Sequence, residues 1–268
     1  MKVGIGLPNT IPGSDGGLLV EWARRADAGP FSTLAALDRL AYDSVDPFCA
    51  LSAAAAVTER IGLATMIAIG PLRNTALLVK QTASVDAISR SRLTLGLAIG
   101  ARLDDFEIAG VEHRGRGARL SEQLATLRDD GVRPDLRLLV GGMTGPAFAR
   151  MARYADGYAH NGGPPRAFDR AATGARAAWS DLGRPGRPLL WGQGYFALGD
   201  EDAGAAYLRD YYAFTGPFAE KIAAGNLTSA RAIKDYVRGY AEAGCDELVL
   251  FPSVADVAQL DRLAEVLA

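Results

Sequence analysis

Short apolar runs and amphipathic stretches alternate along the whole chain. Val3–Leu7 is apolar and stops at Pro8-Asn9; behind the glycine-rich Pro12–Gly17, Leu18–Ala28 repeats its apolar residues at helical spacing. Phe31–Leu37 reads as a second strand ending in Asp38-Arg39, and Asp46-Pro47 opens a helix over Phe48–Arg60 that is nearly all alanine and apolar residues, as a helix pressed on a sheet requires. A third strand over Ile61–Ile69 closes at Gly70-Pro71, a helix capped by Asn74 or Thr75 runs through Ile88, and Arg92–Ile99 is a fourth strand closed by Gly100. A loop with His113 and several arginines leads to a helix around Leu120–Arg128. The fifth strand, Leu138–Val140, stops at Gly141-Gly142 and delivers the chain into a helix that reaches about Tyr154. Asp156–His160, Leu189–Leu198 and Cys245–Phe251 complete the strands. Helices are expected over Arg166–Leu182, Asp200–Ala213, Ala230–Ala243 and Val254–Leu267.

Alternation of strand and helix calls for a parallel sheet, and about eight repeats in roughly 250 residues is the pattern of a TIM (β/α)8 barrel. An open doubly wound sheet would show its glycine fingerprint after the first strand, and LPNTIPGSDGG is not G-x-G-x-x-G. No shift in composition marks a linker, so residues 1–268 are expected to form one barrel domain.

Composition narrows the chemistry. The 268 residues are 49% hydrophobic and 22% charged, with a formal net charge of −2 and no basic block to track a phosphate backbone, so nucleic acid is not an expected partner. Two cysteines, Cys49 and Cys245, and two histidines, His113 and His160, supply neither a disulfide framework nor a zinc set. MKVGIGLP enters a strand without a signal-peptide pattern, and no apolar run reaches about 18 residues without charges, so a cytoplasmic protein without membrane contact is expected.

One stretch carries most of the functional signal. In LLVGGMTGPAF, a buried strand meets a helix N-terminus through Gly141, Gly142, Met143 and Thr144. Glycines let backbone N–H groups approach a ligand, Thr144 can cap the helix or offer its hydroxyl, and the dipole favours an anion such as phosphate. An ordinary strand–helix joint has the same residues, so the stretch alone leaves both readings open. Gly162-Gly163, after the sixth strand, would form the neighbouring half of such a cradle.

Several segments together resemble the bacterial-luciferase-like family of flavin-dependent monooxygenases and F420-dependent oxidoreductases. They are VGIGLP, LDRL, TERIGLATMIAIGPLRN, KQTASVDAISRSRLTLGLAIG, LLVGG, ARYADGY and GYAEAGCDELVLFPS, in family order along nearly the whole chain. The resemblance implies a TIM-like barrel holding FMN or F420 at the C-terminal ends of its strands. It further implies an enzyme that takes reduced FMN from a separate flavin reductase and uses O2 on a small organic substrate, or alternatively one that moves a hydride with F420. A homodimer is expected as well. The cofactor-binding set it suggests is Asp38, Thr65, Met66, Ile67, Gly100, Ala101, Gly141, Gly142, Met143, Thr144, Gly162 and Gly163, with a non-prolyl cis peptide within Thr65-Met66-Ile67. Asn9, Arg102, Trp191 and Gln193 are the substrate-binding candidates, Arg39 and His160 the catalytic ones, and no metal is expected. The bland reading stands beside several of these: Asp38 and Arg39 as a bracing pair, His160 as a packed strand-end histidine, Arg102 as a surface residue.

Two departures from the family pattern stand out. Family members usually carry a long excursion between strands four and five, whereas here Leu127–Gly131 passes almost at once to Arg133-Pro134 and the strand. That shortening predicts a more open mouth, or one covered by a partner. F420-dependent dehydrogenase relatives carry Asp-His after strand two and a Glu after strand four, where this chain has Asp38-Arg39 and Ala101-Arg102. A flavin-binding scaffold without turnover is therefore a third reading. Tyr207, Tyr211 and Tyr212 fall at helical spacing and suggest helix packing or an interface, and Tyr211–Gly225 suggests a cavity wall or a dimer surface.

Overall fold

The computed structural model describes residues 1–129 and 135–268. Eight strands form a closed, all-parallel barrel in sequence order: β1 (Lys2–Gly6), β2 (Thr33–Ala36), β3 (Gly62–Ile69), β4 (Leu93–Ala98), β5 (Arg137–Gly141), β6 (Gly157–Ala159), β7 (Leu189–Phe196) and β8 (Glu247–Pro252). The ring closes between β8 and β1, where Val3 pairs with Leu248 and Ile5 with Leu250. This is the expected TIM barrel, and strand boundaries lie within two residues of the pattern read from the sequence.

Capping chemistry starts the helices where the sequence places it. Asp15 accepts from Leu18 N at 2.8 Å and opens α1 (Gly16–Ala28), whose Leu19, Trp22, Ala23 and Ala26 recur at helical spacing and are buried against the barrel. Asp46 accepts from Phe48 N and Cys49 N at the start of α2 (Pro47–Val57), and Asn74 from Ala76 N at the start of α3 (Thr75–Ile88). Two helices were not visible in the pattern. α4 (Leu103–Ile108) sits in the stretch read as loop, ahead of α5 (Arg116–Asp129), and α9 (Phe218–Ala224) follows α8 (Glu201–Tyr211) and a 3₁₀ turn over Ala213–Thr215. The remaining helices are α6 (Gly145–Tyr154), α7 (Pro165–Asp181), α10 (Ala230–Glu242) and α11 (Ala258–Leu267). α5 and β5 are close in sequence, as the shortened connection requires; Asp130, Gly131, Arg133 and Pro134 lie outside the described residues.

Apolar side chains form two bodies. The larger fills the layer between barrel and helices and includes Trp22, Leu34, Leu95, Val140, Tyr158, Phe168 and Tyr240. The second occupies the barrel interior, with Ala35, Ala64, Met66, Leu139, Ala159, Trp191, Val249 and Phe251, and continues upward into Tyr207 and Tyr211 of α8. Gly141 belongs to this inner wall, where an added Cβ would lie 2.0 Å from Ile67 Cδ1, so the glycine admits the isoleucine. No described helix is long and apolar enough to cross a membrane, and no described group of three or more His, Cys, Asp or Glu could hold a metal.

Candidate active site

The C-terminal rim has two unlike halves. α8 crosses the ends of β7, β8, β1 and β2. Tyr212 Oη lies 2.8 Å from Tyr195 Oη, Tyr207 Oη lies 2.8 Å from Thr10 Oγ1, and Gly204 packs against Ser253. Beneath it Leu7, Asn9, Thr10, Leu37, Asp38 and Phe251 are buried. Over β3 to β6 the rim is open: Ile67, Ile69, Ala98, Gly100 and Gly142 are partly exposed, and Ala101, Met143, Thr144, Asn161 and Gly163 are exposed. The missing excursion would project from this open half. The tyrosines read as helix packing or an interface therefore form the inner lining of a half-lid.

The open half contains the glycine cradle. Gly141 of β5 pairs with Ala159 of β6, which brings the two following turns side by side. Gly142 adopts φ +133° and Gly163 φ +99°, both in the region that favours glycine. A Cβ on Gly142 would lie 2.7 Å from Ala147 Cβ, whereas one on Gly163 would meet open space. Thr144 is the N-cap of α6, yet its hydroxyl bonds no helix N–H, and among the described residues no protein acceptor takes the N–H of Met143, Thr144, Gly162 or Gly163. Met143 and Thr144 lead directly into α6, a helix of ten residues whose N-terminus favours an anion. The second turn is held from behind. Tyr240 Oη and Tyr236 Oη each donate to Gly163 O at 2.9 Å, and Tyr236 Oη also lies 2.8 Å from Gln193 O. These α10 tyrosines escaped the sequence reading, because nothing in a helical repeat reveals that its outer hydroxyls reach a glycine carbonyl about seventy residues away.

β3 supplies the floor of the open half. The peptide between Met66 and Ile67 is cis, within the segment where the family resemblance placed one. Thr65 Oγ1 donates to Gly96 O at 2.8 Å and accepts from Gly96 N at 2.9 Å, so this hydroxyl ties β3 to β4. Met66 is fully buried in the barrel, and Ile67 is the partly exposed member of the three.

The polar candidates under the lid are engaged with the protein. Asn9 donates to Leu37 O at 2.8 Å and Val45 O at 2.9 Å and accepts from Leu37 N at 3.1 Å, which leaves no free donor for a substrate; it braces the β2 loop. Asp38 forms a bidentate pair with Arg73 (2.5 and 3.0 Å) and accepts from Ile69 N at 2.8 Å, fixing the end of β3. Burial drives its carboxyl pKa upward against the pull of Arg73. Arg39 donates to Asp105 Oδ1 at 3.3 Å and Asp104 Oδ2 at 3.0 Å beneath the rings of Tyr42 and Tyr211, and its Nη1 is buried without a partner among the described residues. Among the described residues Arg102 forms no ion pair; it donates to Tyr211 O and lies 3.9 Å from the centroid of Phe214, pinning the lid to the end of β4.

His160 is turned away from the mouth. It shares the parity of Tyr158 on β6 and lies in the layer outside the barrel, 5.6 Å from the Phe168 centroid and 2.9 Å from Tyr158 Oη through Nδ1, with Nε2 unpartnered among the described residues. Burial lowers its pKa to about 4, so it is neutral at pH 7. This corrects its assignment as an acid or base of the site. His113 is half-buried with its ring edge-on to Phe106 at 4.9 Å. Trp191, Gln193 and Tyr195 share the inward parity of β7, and all three are buried. A cavity of about 310 Å³ lined by Val57, Thr58, Arg90 and Arg92 lies at the opposite end of the barrel. There the guanidinium of Arg92 bonds carbonyls of Ile61 and Thr58, so the cavity offers no free cation from that residue.

The family model described as luciferase-like monooxygenase matches residues 1–249. The chain belongs to this luciferase-like family. Curated relatives include two uncharacterized proteins of Mycobacterium tuberculosis, 27% identical over 162 residues and 30% identical over 173 residues. The matches cover 52% and 55% of this luciferase-like chain and 56% and 60% of those proteins, so little more than half of each relative's length is spanned. Solved structures share the fold at low identity. An F420-dependent secondary alcohol dehydrogenase in complex with an F420–acetone adduct gives TM-score 0.82 at 17% identity, covering 99% of this chain and 98% of that one. A monooxygenase from Streptomyces bottropensis gives 0.77 at 19%, covering 99% and 97%. The oxygenating constituent of 3,6-diketocamphane monooxygenase from Pseudomonas putida, in complex with FMN, gives 0.75 at 14%, covering 100% and 97%.

Proposed function

We propose that this luciferase-like chain binds reduced FMN over the open half of its barrel mouth, as a co-substrate delivered by a separate flavin reductase, and uses it with O2 to oxidise a small organic molecule. The observation that carries the reading is the continuity of two surfaces. N–H groups at Met143, Thr144, Gly162 and Gly163, unpartnered among the described residues, adjoin a wall formed by Ile67, Ala98 and Gly141. The first suits a phosphate and the second a flat apolar ring system. When bound, reduced FMN supplies the electrons for oxygen activation; the protein places the reactants and keeps water away. The polar groups nearby fit that division of labour. His160 faces away from the mouth, and Arg39 is restrained by Asp104 and Asp105, so neither is offered as an acid or base. The role left to Arg39 is electrostatic, through its free Nη1. The half-lid tyrosines would exclude water from the side opposite the cradle.

F420 as the cofactor is favoured by one observation. Met143, Thr144 and Gly163 are exposed, so a phosphate seated there can carry a further substituent outward. Titration of the purified chain with reduced FMN and with F420 separates the two, and tight F420 binding without FMN affinity overturns the proposal. Turnover is tested with NADH and a flavin reductase across a substrate panel. Flavin binding without any product assigns the chain to the non-catalytic reading. A homodimer is also proposed, supported by the exposed Leu103, Ile108, Phe214 and Phe218 on the rim side, and sedimentation measures it directly.

A further inference from the structure

Gln193 carries an unmatched polar atom at the edge of the cradle. Pairing of Ala159 with Trp191 sets Gln193 level with Asn161, one residue past β6, and its parity aims it into the barrel with Trp191 and Tyr195. The residue is 4% exposed. Its amide Nε2 donates to Asn161 O at 3.3 Å, which turns Oε1 the other way, and among the described residues Oε1 is buried without a partner. A buried acceptor left unmade is costly, so a ligand that supplies a donor there gains what the empty site lacks.

Chemistry identifies the donor. An amide oxygen is an acceptor and repels phosphate oxygens, so Gln193 does not hold the anion itself. Gly162 lies against it, the position of an added Cβ being 3.5 Å from Gln193 Cγ, so Oε1 is a neighbour of the cradle and meets the part of a ligand next to the phosphate. We infer that Gln193 accepts a hydrogen bond from a hydroxyl of a polyol phosphate ester, the linker that FMN and F420 share between phosphate and ring. The inference rests on the flavin reading above. It makes Gln193, expected to touch substrate, a residue that reads the tail of the cofactor.

A two-by-two binding experiment tests it. The ligands are FMN and a flavin whose polyol is replaced by a pentyl chain bearing the same phosphate, and the proteins are the wild type and Gln193→Met. Kd is measured by titration of fluorescence, with F420 titrated in parallel to identify the natural carrier of the polyol phosphate. The wild type is expected to bind the pentyl flavin about 5–10-fold more weakly than FMN, as the loss of one neutral hydrogen bond implies, and Gln193→Met to bind the two alike. A hydroxyl preference that persists undiminished in Gln193→Met overturns the inference while leaving the flavin reading intact. Should Gln193→Met fail to fold, the wild-type arm decides, and equal Kd values for the two flavins overturn it. A wild type that binds neither FMN nor F420 overturns the proposed function and the inference together.

Discussion

Individual residues of the cradle separate two costs that are usually mixed. Gly163 and Gly142 both adopt positive φ, but only Gly142 has a neighbour in the way. Gly163→Ala is expected to cost about 1 kcal/mol of stability from backbone conformation alone, and Gly142→Ala about 1–3 kcal/mol more, because its Cβ meets that of Ala147. Urea unfolding of the two variants measures the difference. Gly142→Asp adds a carboxylate beside the anion and should weaken FMN binding at least about tenfold; unchanged affinity would remove the cradle. His160 makes a separate statement about acid stability. Its folded pKa, about 4, lies below its ordinary value, so the unfolded chain binds the extra proton first and stability falls as pH drops from about 6.5 toward 4. The loss at pH 5 relative to neutrality is on the order of 2 kcal/mol, and His160→Gln should flatten that part of the pH–stability curve. The cradle glycines were legible in the sequence, but the direction of His160 was not. A three-residue strand is too short to give a parity signal, and the direction of His160 is set by its packing against Tyr158 and Phe168.

At the scale of elements, the strands and most helices were readable because each carries its own period and cap. α4 was not, since LDDFEI shows no apolar stripe; Asp105, tied to Arg39 and the amides of Leu40 and Ala41, and the buried Phe106 anchor it through contacts far away in sequence. The end of β3 depends on a similar long-range device, the Asp38–Arg73 pair with Asp46 as a second acceptor at 2.8 Å. Arg73→Met should destabilise the fold by about 3–5 kcal/mol by leaving Asp38 buried and unpaired, and Asp38→Asn in the same chain should recover part of the loss. The half-lid hangs on Arg102. Arg102→Ala removes the anchor of Tyr211 and the stacking of Phe214, so amide exchange of Tyr211–Thr215 is expected to accelerate while that of the barrel strands stays the same.

For the whole molecule, barrel closure and the position of the mouth followed from counting alternations, but the asymmetry of the mouth did not. It arises because α8 folds back over four consecutive strand ends, a path that depends on the Thr10, Tyr195 and Ser253 contacts rather than on any local pattern. Ligand seated in the open half stabilises the folded state by mass action. FMN at about 100 times its Kd should add about 2.7 kcal/mol, a rise of several degrees in Tm for a chain of this length.

α8 covers one side of the mouth, and the ends of β3 to β6 lie open on the other. Under the proposed function, flavin and organic substrate would both enter from that open side. A substrate arriving before the flavin would then stand in the passage and delay the exchange of spent for fresh flavin. High substrate concentrations should therefore slow turnover in a way that added reductase relieves.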